Sequence, residues 1–203
     1  MRKAYYLIGW GYVAICLAVI LPARSRAVPE GGYALGVSSG YSAAEWFRRA
    51  KPYCNSVEIA VMQRREPAPK TLQGAGFEAA CYALAGRIDD ARRIIDRLPA
   101  ADRYKAADIV FNVGHPVADA GDDRAAGPIM ELVIDYWPNH YMALYHAGMA
   151  EYMLGQRDLA KRNLTEFLKL YHENDGWRAN GIEVLRRLRS GDSAHLQRPR
   201  EPQ

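Results

Sequence analysis

The chain is poor in cysteine, with three in 203 residues. Cys16 lies in an apolar N-terminal run, which leaves Cys54 and Cys81 as the one pair that the rest of the chain can form. In an oxidising compartment these two could join, which would stabilise the fold by about 3 to 4 kcal/mol in the chain-entropy description of a closed loop. Free cysteines are also common as small buried apolar side chains. We favour this second interpretation.

A concentrated excess of charge of one sign is also absent. The formal net charge is +4, but the excess basic residues lie near the two termini, and the region between them is close to charge-balanced. Basic groups must cluster on one folded face to release the counterions of a nucleic acid. The sequence therefore predicts no nucleic-acid partner.

A long apolar run is present at the N-terminus. The basic start Met1–Lys3 precedes it, and Ala4–Leu21 carries no charge before Pro22. The run is about 18 residues long, which exceeds most signal-peptide cores and is near the minimum for crossing a bilayer. Residues 1–27 are therefore predicted to be a cleaved signal peptide or, through residues 4–21, a retained membrane anchor. Both alternatives place the rest of the chain outside the cytoplasm, in the periplasm or cell envelope.

The most informative pattern is a repeat marked by turn glycines. Gly86, Gly121 and Gly155 are spaced 35 and then 34 positions apart. A short residue precedes each glycine by seven positions, an alanine follows it by five, and two large apolar residues come later. The short residues are Ala79, Gly114 and Gly148, and the alanines are Ala91, Ala126 and Ala160. The first large apolar residues are Ile95, Met130 and Leu164, and the second are Leu98, Val133 and Phe167. A period of this length predicts stacked helical hairpins, in which the short residue faces the alanine where the two helices cross.

The pattern predicts an all-α fold, a solenoid of antiparallel helical hairpins. Ser42 and Glu45 have the spacing of a capping box and mark where the helices begin. The last amphipathic helix has the polar outer side that a terminal cap needs. The predicted parts are the export or anchor segment 1–27, a flexible Gly/Ser-rich linker 28–41, a degenerate hairpin 42–71, three repeats 72–174, a capping helix 175–189 and a disordered tail 190–203.

The third repeat carries a recognisable set of packing residues. They are Leu144, Tyr145, His146, Ala147, Gly148, Tyr152, Leu154, Gly155, Ala160, Leu164 and Phe167. With these residues the chain resembles the tetratricopeptide repeat family, clearly over residues 72–174 and loosely over 42–71. Together with the N-terminal segment, the resemblance implies an exported or membrane-anchored protein of bacterial type that acts as a scaffold. Such a protein is not an enzyme, needs no cofactor, and binds a protein or peptide in the concave groove.

The groove in this family is lined by the first helix of each hairpin. Carrying its positions over to this sequence gives Phe111, His115, Met142, Tyr145, Met149, Tyr152 and Met153. Methionine and aromatic side chains on one face make an adaptable apolar platform for a partner. A binding platform should expose several hundred Å² of apolar surface. The alternatives are that the final helix or the linker covers this face, or that some of these residues are core.

The second repeat departs from the pattern because it contains prolines. Pro116 falls within its first predicted helix and Gly127-Pro128 within its second. An interior proline removes a backbone hydrogen bond and costs about 3 kcal/mol. Either both helices continue with a kink, or a longer loop intervenes and Pro128 begins a shortened helix.

Histidine and aspartate lie close together in this irregular repeat. His115, Asp119 and Asp122 could hold a divalent ion or act as acid and base. Their spacing matches no metal motif, and an aspartate after a turn glycine also suits a helix start. These residues support a competing hypothesis, a metal-dependent hydrolase. Our prediction is nevertheless a chain with no catalytic residue and no metal ligand.

Overall fold

The structure is a computed structural model, and it describes residues 41–190. The predicted export or anchor segment, the linker up to residue 40 and the tail from residue 191 lie outside the described residues. Within the described range no helix is both long and apolar enough to cross a membrane. The nine α-helices of this range are α1 Ala43–Ala50, α2 Ile59–Arg65, α3 Leu72–Leu84, α4 Ile88–Asp96, α5 Ala100–Asp119, α6 Asp123–Tyr136, α7 Tyr141–Met153, α8 Arg157–Leu170 and α9 Gly176–Ser190.

The helices pack mainly against their neighbours in sequence. The pairs α3–α4, α5–α6 and α7–α8 are antiparallel hairpins, and each is joined to the next by contacts such as α3–α5 and α6–α7. The last helix, α9, packs on α8 and α7. The predicted all-α class is confirmed, and the packing order is compatible with stacked hairpins.

The three turn glycines share one backbone geometry. Their φ angles are 71° at Gly86 and 77° at Gly121 and Gly155, in the left-handed region that favours glycine. After each glycine, the next backbone N–H donates to the carbonyl five residues earlier. The bonds are Arg87 to Tyr82 (2.9 Å), Asp122 to Val117 (3.3 Å) and Gln156 to Glu151 (2.8 Å). All three first helices therefore end in the same Schellman motif, so the sequence period corresponds to a repeated local structure.

The short residues before the turns lie where helices approach closely, but their neighbours differ from the prediction. A Cβ on Gly114 would lie 2.6 Å from Cγ2 of Ile129, and one on Gly148 would lie 2.6 Å from Cγ of Leu164. The nearest atoms thus belong to large apolar residues of the second helix and not to the alanines. The absence of a side chain makes room for a branched one from the opposite helix.

The prolines of the second repeat lie inside unbroken helices. Helix α5 continues through Pro116, and α6 continues through Pro128. Helix α6 begins at Asp123, where the Asp122 carboxylate accepts a hydrogen bond from the N–H of Ala125 at 3.2 Å. The alternative of a longer loop with Pro128 at a helix start is therefore wrong. The turn at Gly121 matches the other two, which fixes the start of α6 before the proline.

The two cysteines outside the N-terminal run form a disulfide. Cys54, in the turn before α2, is joined to Cys81 in α3, with their Cα atoms 4.8 Å apart. Our favoured interpretation, two separate buried thiols, is wrong. The bond closes a loop across a sequence separation of 27, for which chain entropy gives a stabilisation of about 3 to 4 kcal/mol. Disulfides of this kind are typical of proteins that fold in an oxidising compartment.

The segment predicted to be a degenerate hairpin, α1 and α2, is attached to the repeats through α1, which packs on α3, whereas α1 and α2 do not pack closely against each other. We use the name first hairpin only for this segment. The Ser42 hydroxyl accepts a hydrogen bond from the N–H of Glu45 at 3.2 Å, which caps α1. Trp46 is buried, and its indole N–H donates to the carbonyl of Glu66 at 2.9 Å. The Phe47 ring of α1 stacks on Phe77 of α3 with centroids 4.9 Å apart.

Candidate functional site

The structure encloses the residues predicted to line a groove. The buried ones are Phe111, Tyr145, Met149 and Tyr152, and the half-buried ones are His115, Met142 and Met153. An apolar platform on α7 would have to expose these side chains. The expected exposed area is therefore not found at these positions.

Helix α9 accounts for the burial of Tyr145, Met149 and Tyr152, whereas Phe111 belongs to a separate core cluster that contains no residue of α9. The Trp177 ring of α9 meets the Tyr145 ring at right angles, with centroids 5.0 Å apart, and the Asn180 amide donates to the Tyr145 hydroxyl at 3.4 Å. Val184 and Leu185 of α9 belong to the same apolar cluster as Tyr145. Two of the alternatives left open by the sequence are therefore observed: the final helix covers Tyr145, and Phe111 is a core residue.

A cluster of two histidines and one aspartate lies between α5 and α7. His115 and Asp119 are one helical turn apart on α5, and His146 projects from α7. The two Nε2 atoms are 2.9 Å apart, and Oδ1 of Asp119 lies 3.4 Å from Nε2 of His115 and 3.9 Å from Nε2 of His146. All three possible ligand atoms lie within 4.8 Å of one another. Asp122, the third residue of our hydrolase hypothesis, caps α6 instead.

Aromatic rings hold this cluster in place and close one of its sides. The His115 ring stacks on Phe111 with centroids 4.9 Å apart, and the His146 ring meets Trp177 of α9 at 5.7 Å. The side chain of His146 is 0% exposed, that of His115 32% and that of Asp119 49%. The cluster is thus buried on the α7 side and open to solvent on the α5 side.

His146 was predicted to be a packing residue and not a ligand, although the repeat contained a signal for its position. His115 precedes Gly121 by six positions, and His146 precedes Gly155 by nine. When the first helices of the two repeats are aligned on their turn glycines, the two histidine positions are three residues apart, which is about one helical turn. Their side chains can therefore meet where consecutive hairpins stack. Searching for ligands within a single repeat does not find such a pair.

A second polar cluster is buried among α6, α7 and α8. The Asn163 amide donates to the Glu131 carboxylate at 2.6 Å and to the Glu151 carboxylate at 2.9 Å. Burial raises the pKa of Glu151 well above its usual range, and the hydrogen bond and charge of Glu131 raise it further. The arrangement favours a protonated Glu151 in the folded state.

Apolar side chains are exposed around a cleft at the first hairpin. Val57 is 81% exposed, Tyr53 47% and Val61 40%. They line the cleft together with Glu58, Met62, Arg65 and Glu66. This segment is held in place by the disulfide from Cys54 to Cys81 of α3 and by the fully buried side chain of Ile59.

Comparison of the chain with models of protein families, with curated proteins and with solved structures finds no match. The tetratricopeptide resemblance thus depends on the packing residues quoted above and on the positions of the turn glycines.

Proposed function

We propose that this chain is an exported, non-enzymatic module of the tetratricopeptide kind, an α-solenoid that binds a protein or peptide partner. The repeated Schellman turns and the packing of neighbouring hairpins support the solenoid. The Cys54–Cys81 disulfide and the basic-then-apolar N-terminus support a location in the periplasm or cell envelope.

The contact surface in this proposal is the cleft of the first hairpin and not the face of α7. The supporting observation is the exposure of Val57, with Tyr53 and Val61 beside it. Burying one such side chain in an interface contributes about 1.5 to 3 kcal/mol. Glu58 and Arg65 border the cleft, and an apolar centre with a polar rim is typical of protein interfaces.

Site-specific photo-crosslinking in intact cells tests this surface on the full-length chain. A photoreactive amino acid replaces Val57 or Val61 in the cleft, and Ile182, which is 50% exposed on α9, serves as the matched control position. We expect a discrete adduct from positions 57 and 61 and none from 182. Mass spectrometry of the adduct identifies the partner.

Charged substitutions give the second arm of the test. Val57→Lys with the photoreactive residue at position 61, and Val61→Lys with it at position 57, should each abolish the adduct. A lysine cannot enter an apolar contact without losing its hydration. The thermal unfolding of the two variants should match that of Ile182→Lys, since all three positions are exposed. Adducts that form equally at 182, or that persist in both lysine variants, would disprove the proposed surface.

A further inference from the structure

We propose that His115, Asp119 and His146 bind a divalent transition-metal ion, with zinc as the best-fitting candidate. The inference goes beyond partner binding and uses a different part of the molecule. Two imidazole nitrogens and a carboxylate oxygen converge from α5 and α7 on one point. Imidazole with carboxylate suits zinc and its neighbours in the first transition row, whereas calcium and magnesium prefer oxygen ligands.

The distances are close to those that a bound ion requires. Ligands at about 2.0 to 2.2 Å from a tetrahedral zinc lie about 3.3 Å from one another. The Nε2 atoms of His115 and His146 are 2.9 Å apart, and Oδ1 of Asp119 is 3.4 Å from the first and 3.9 Å from the second. Each pair therefore differs from the ideal separation by about 0.6 Å or less, which small side-chain rotations can supply.

The surroundings restrict the ligands to this arrangement. Phe111 stacks on His115, and Trp177 packs on His146, so neither imidazole can swing freely. Ligands that are already oriented lose little conformational entropy when the ion binds. Asp119 is half exposed and gives the ion a path from solvent.

The proposed ion would have three protein ligands and at least one position open to solvent. It would join the second hairpin to the third, because His115 and Asp119 are on α5 and His146 is on α7. A ligand that binds only the folded state raises its stability by mass action. The open position is available to water or to a carboxylate or imidazole from outside the chain.

Zinc titration of the full-length, chelator-stripped protein tests the site by calorimetry. We expect one ion per chain and an affinity at least tenfold weaker in Asp119→Asn and His115→Gln. Both residues are partly exposed, so their replacement should leave the fold intact. His172→Ala is the matched control, because His172 is an exposed histidine far along the chain from the cluster, and its affinity should equal that of the wild type.

Thermal unfolding with zinc and with chelator provides the second measurement. Zinc should raise the melting temperature of the wild type and of His172→Ala, and at the same zinc concentration it should raise that of Asp119→Asn and His115→Gln less. All four proteins should unfold alike in chelator, which shows that the variants are folded. The proposal is wrong if no saturable one-to-one binding occurs, or if the two cluster variants bind zinc as tightly as the control.

Discussion

The segment with α1 and α2 and the third repeat, α7 and α8, each contain two short helices, but they differ in packing: α7 and α8 contact each other closely, whereas α1 packs on α3. Every residue of α7 from Ala143 to Tyr152 is buried. In α2, by contrast, Ile59 alone is buried, and Val57 just before it is largely exposed. A helical hairpin cannot bury its apolar face alone, so its neighbours in the stack decide how much of that face is accessible.

The two regions consequently depend on different interactions. The third repeat has helices on both sides, and its Tyr145 ring contacts Phe167 of α8 and Trp177 of α9. The first hairpin has a disulfide to α3 and the Trp46 hydrogen bond to Glu66. Packing should therefore dominate the stability of one region and a covalent link that of the other.

The largest difference is expected from truncating one aromatic residue in each region. Tyr145→Ala should lower the free energy of unfolding by about 3 to 5 kcal/mol, because it leaves a large cavity beneath α9. Tyr53→Ala, at a half-exposed position in the cleft, should change it by about 1 kcal/mol or less. Urea unfolding followed by circular dichroism measures both. Equal losses would show that exposure does not distinguish the two hairpins.

Removing the disulfide should have the next largest effect. Replacing Cys54 and Cys81 together by alanine should cost about 3 to 4 kcal/mol of unfolding free energy. Amide hydrogen exchange should rise first in α1 and α2, while α7 keeps its protection, because the link holds only the first hairpin. Reductant should reproduce the change in the wild type and leave the variant unaffected. Faster exchange in α7 at the same reductant concentration would contradict this division.

The parts of the fold that could be predicted are those encoded locally. A glycine with positive φ ends a helix through its own backbone, so Gly86, Gly121 and Gly155 marked the three turns correctly. The helices and their pairing followed from that period. The position of Pro128 was harder to predict, because a proline usually favours a helix start. Here the turn at Gly121 and the Asp122 cap fix the start of α6, and the proline lies inside the helix.

The parts that could not be predicted depend on contacts between distant segments. The pattern of one repeat does not reveal that Trp177 covers Tyr145, because the following helix carries that contact. The Cys54–Cys81 bond likewise depends on how the first hairpin lies on α3. His115 and Asp119 were found by their spacing within one helix, whereas His146 requires the register between two hairpins.

A smaller effect is expected where the helices of the third repeat approach closely. Gly148→Ala should cost about 1 to 3 kcal/mol, because the new Cβ would lie 2.6 Å from Leu164 and overpack the contact. Gly127→Ala is the matched control, since its Cβ would meet only the Cβ of Ala150 at 3.3 Å. Alanine is also the better helix former by about 1 kcal/mol, so this variant should be close to neutral. Similar destabilisation by both would indicate that loss of glycine itself, and not crowding by Leu164, is responsible.

A pH dependence should also originate in the third repeat, where Glu151 lies on α7. The pKa of Glu151 is raised in the folded state, chiefly by burial, so the folded chain retains a proton that the unfolded chain releases. Its stabilising contribution is complete below the unfolded pKa of about 4.3 and is lost as pH rises toward the folded pKa. Glu151→Gln stays neutral and should remove this slope, whereas Glu173→Gln, at an exposed position, should retain it. Unfolding free energies measured from pH 4 to pH 8 test this assignment. If the slope persists in Glu151→Gln, a different titratable group is responsible for the pH dependence.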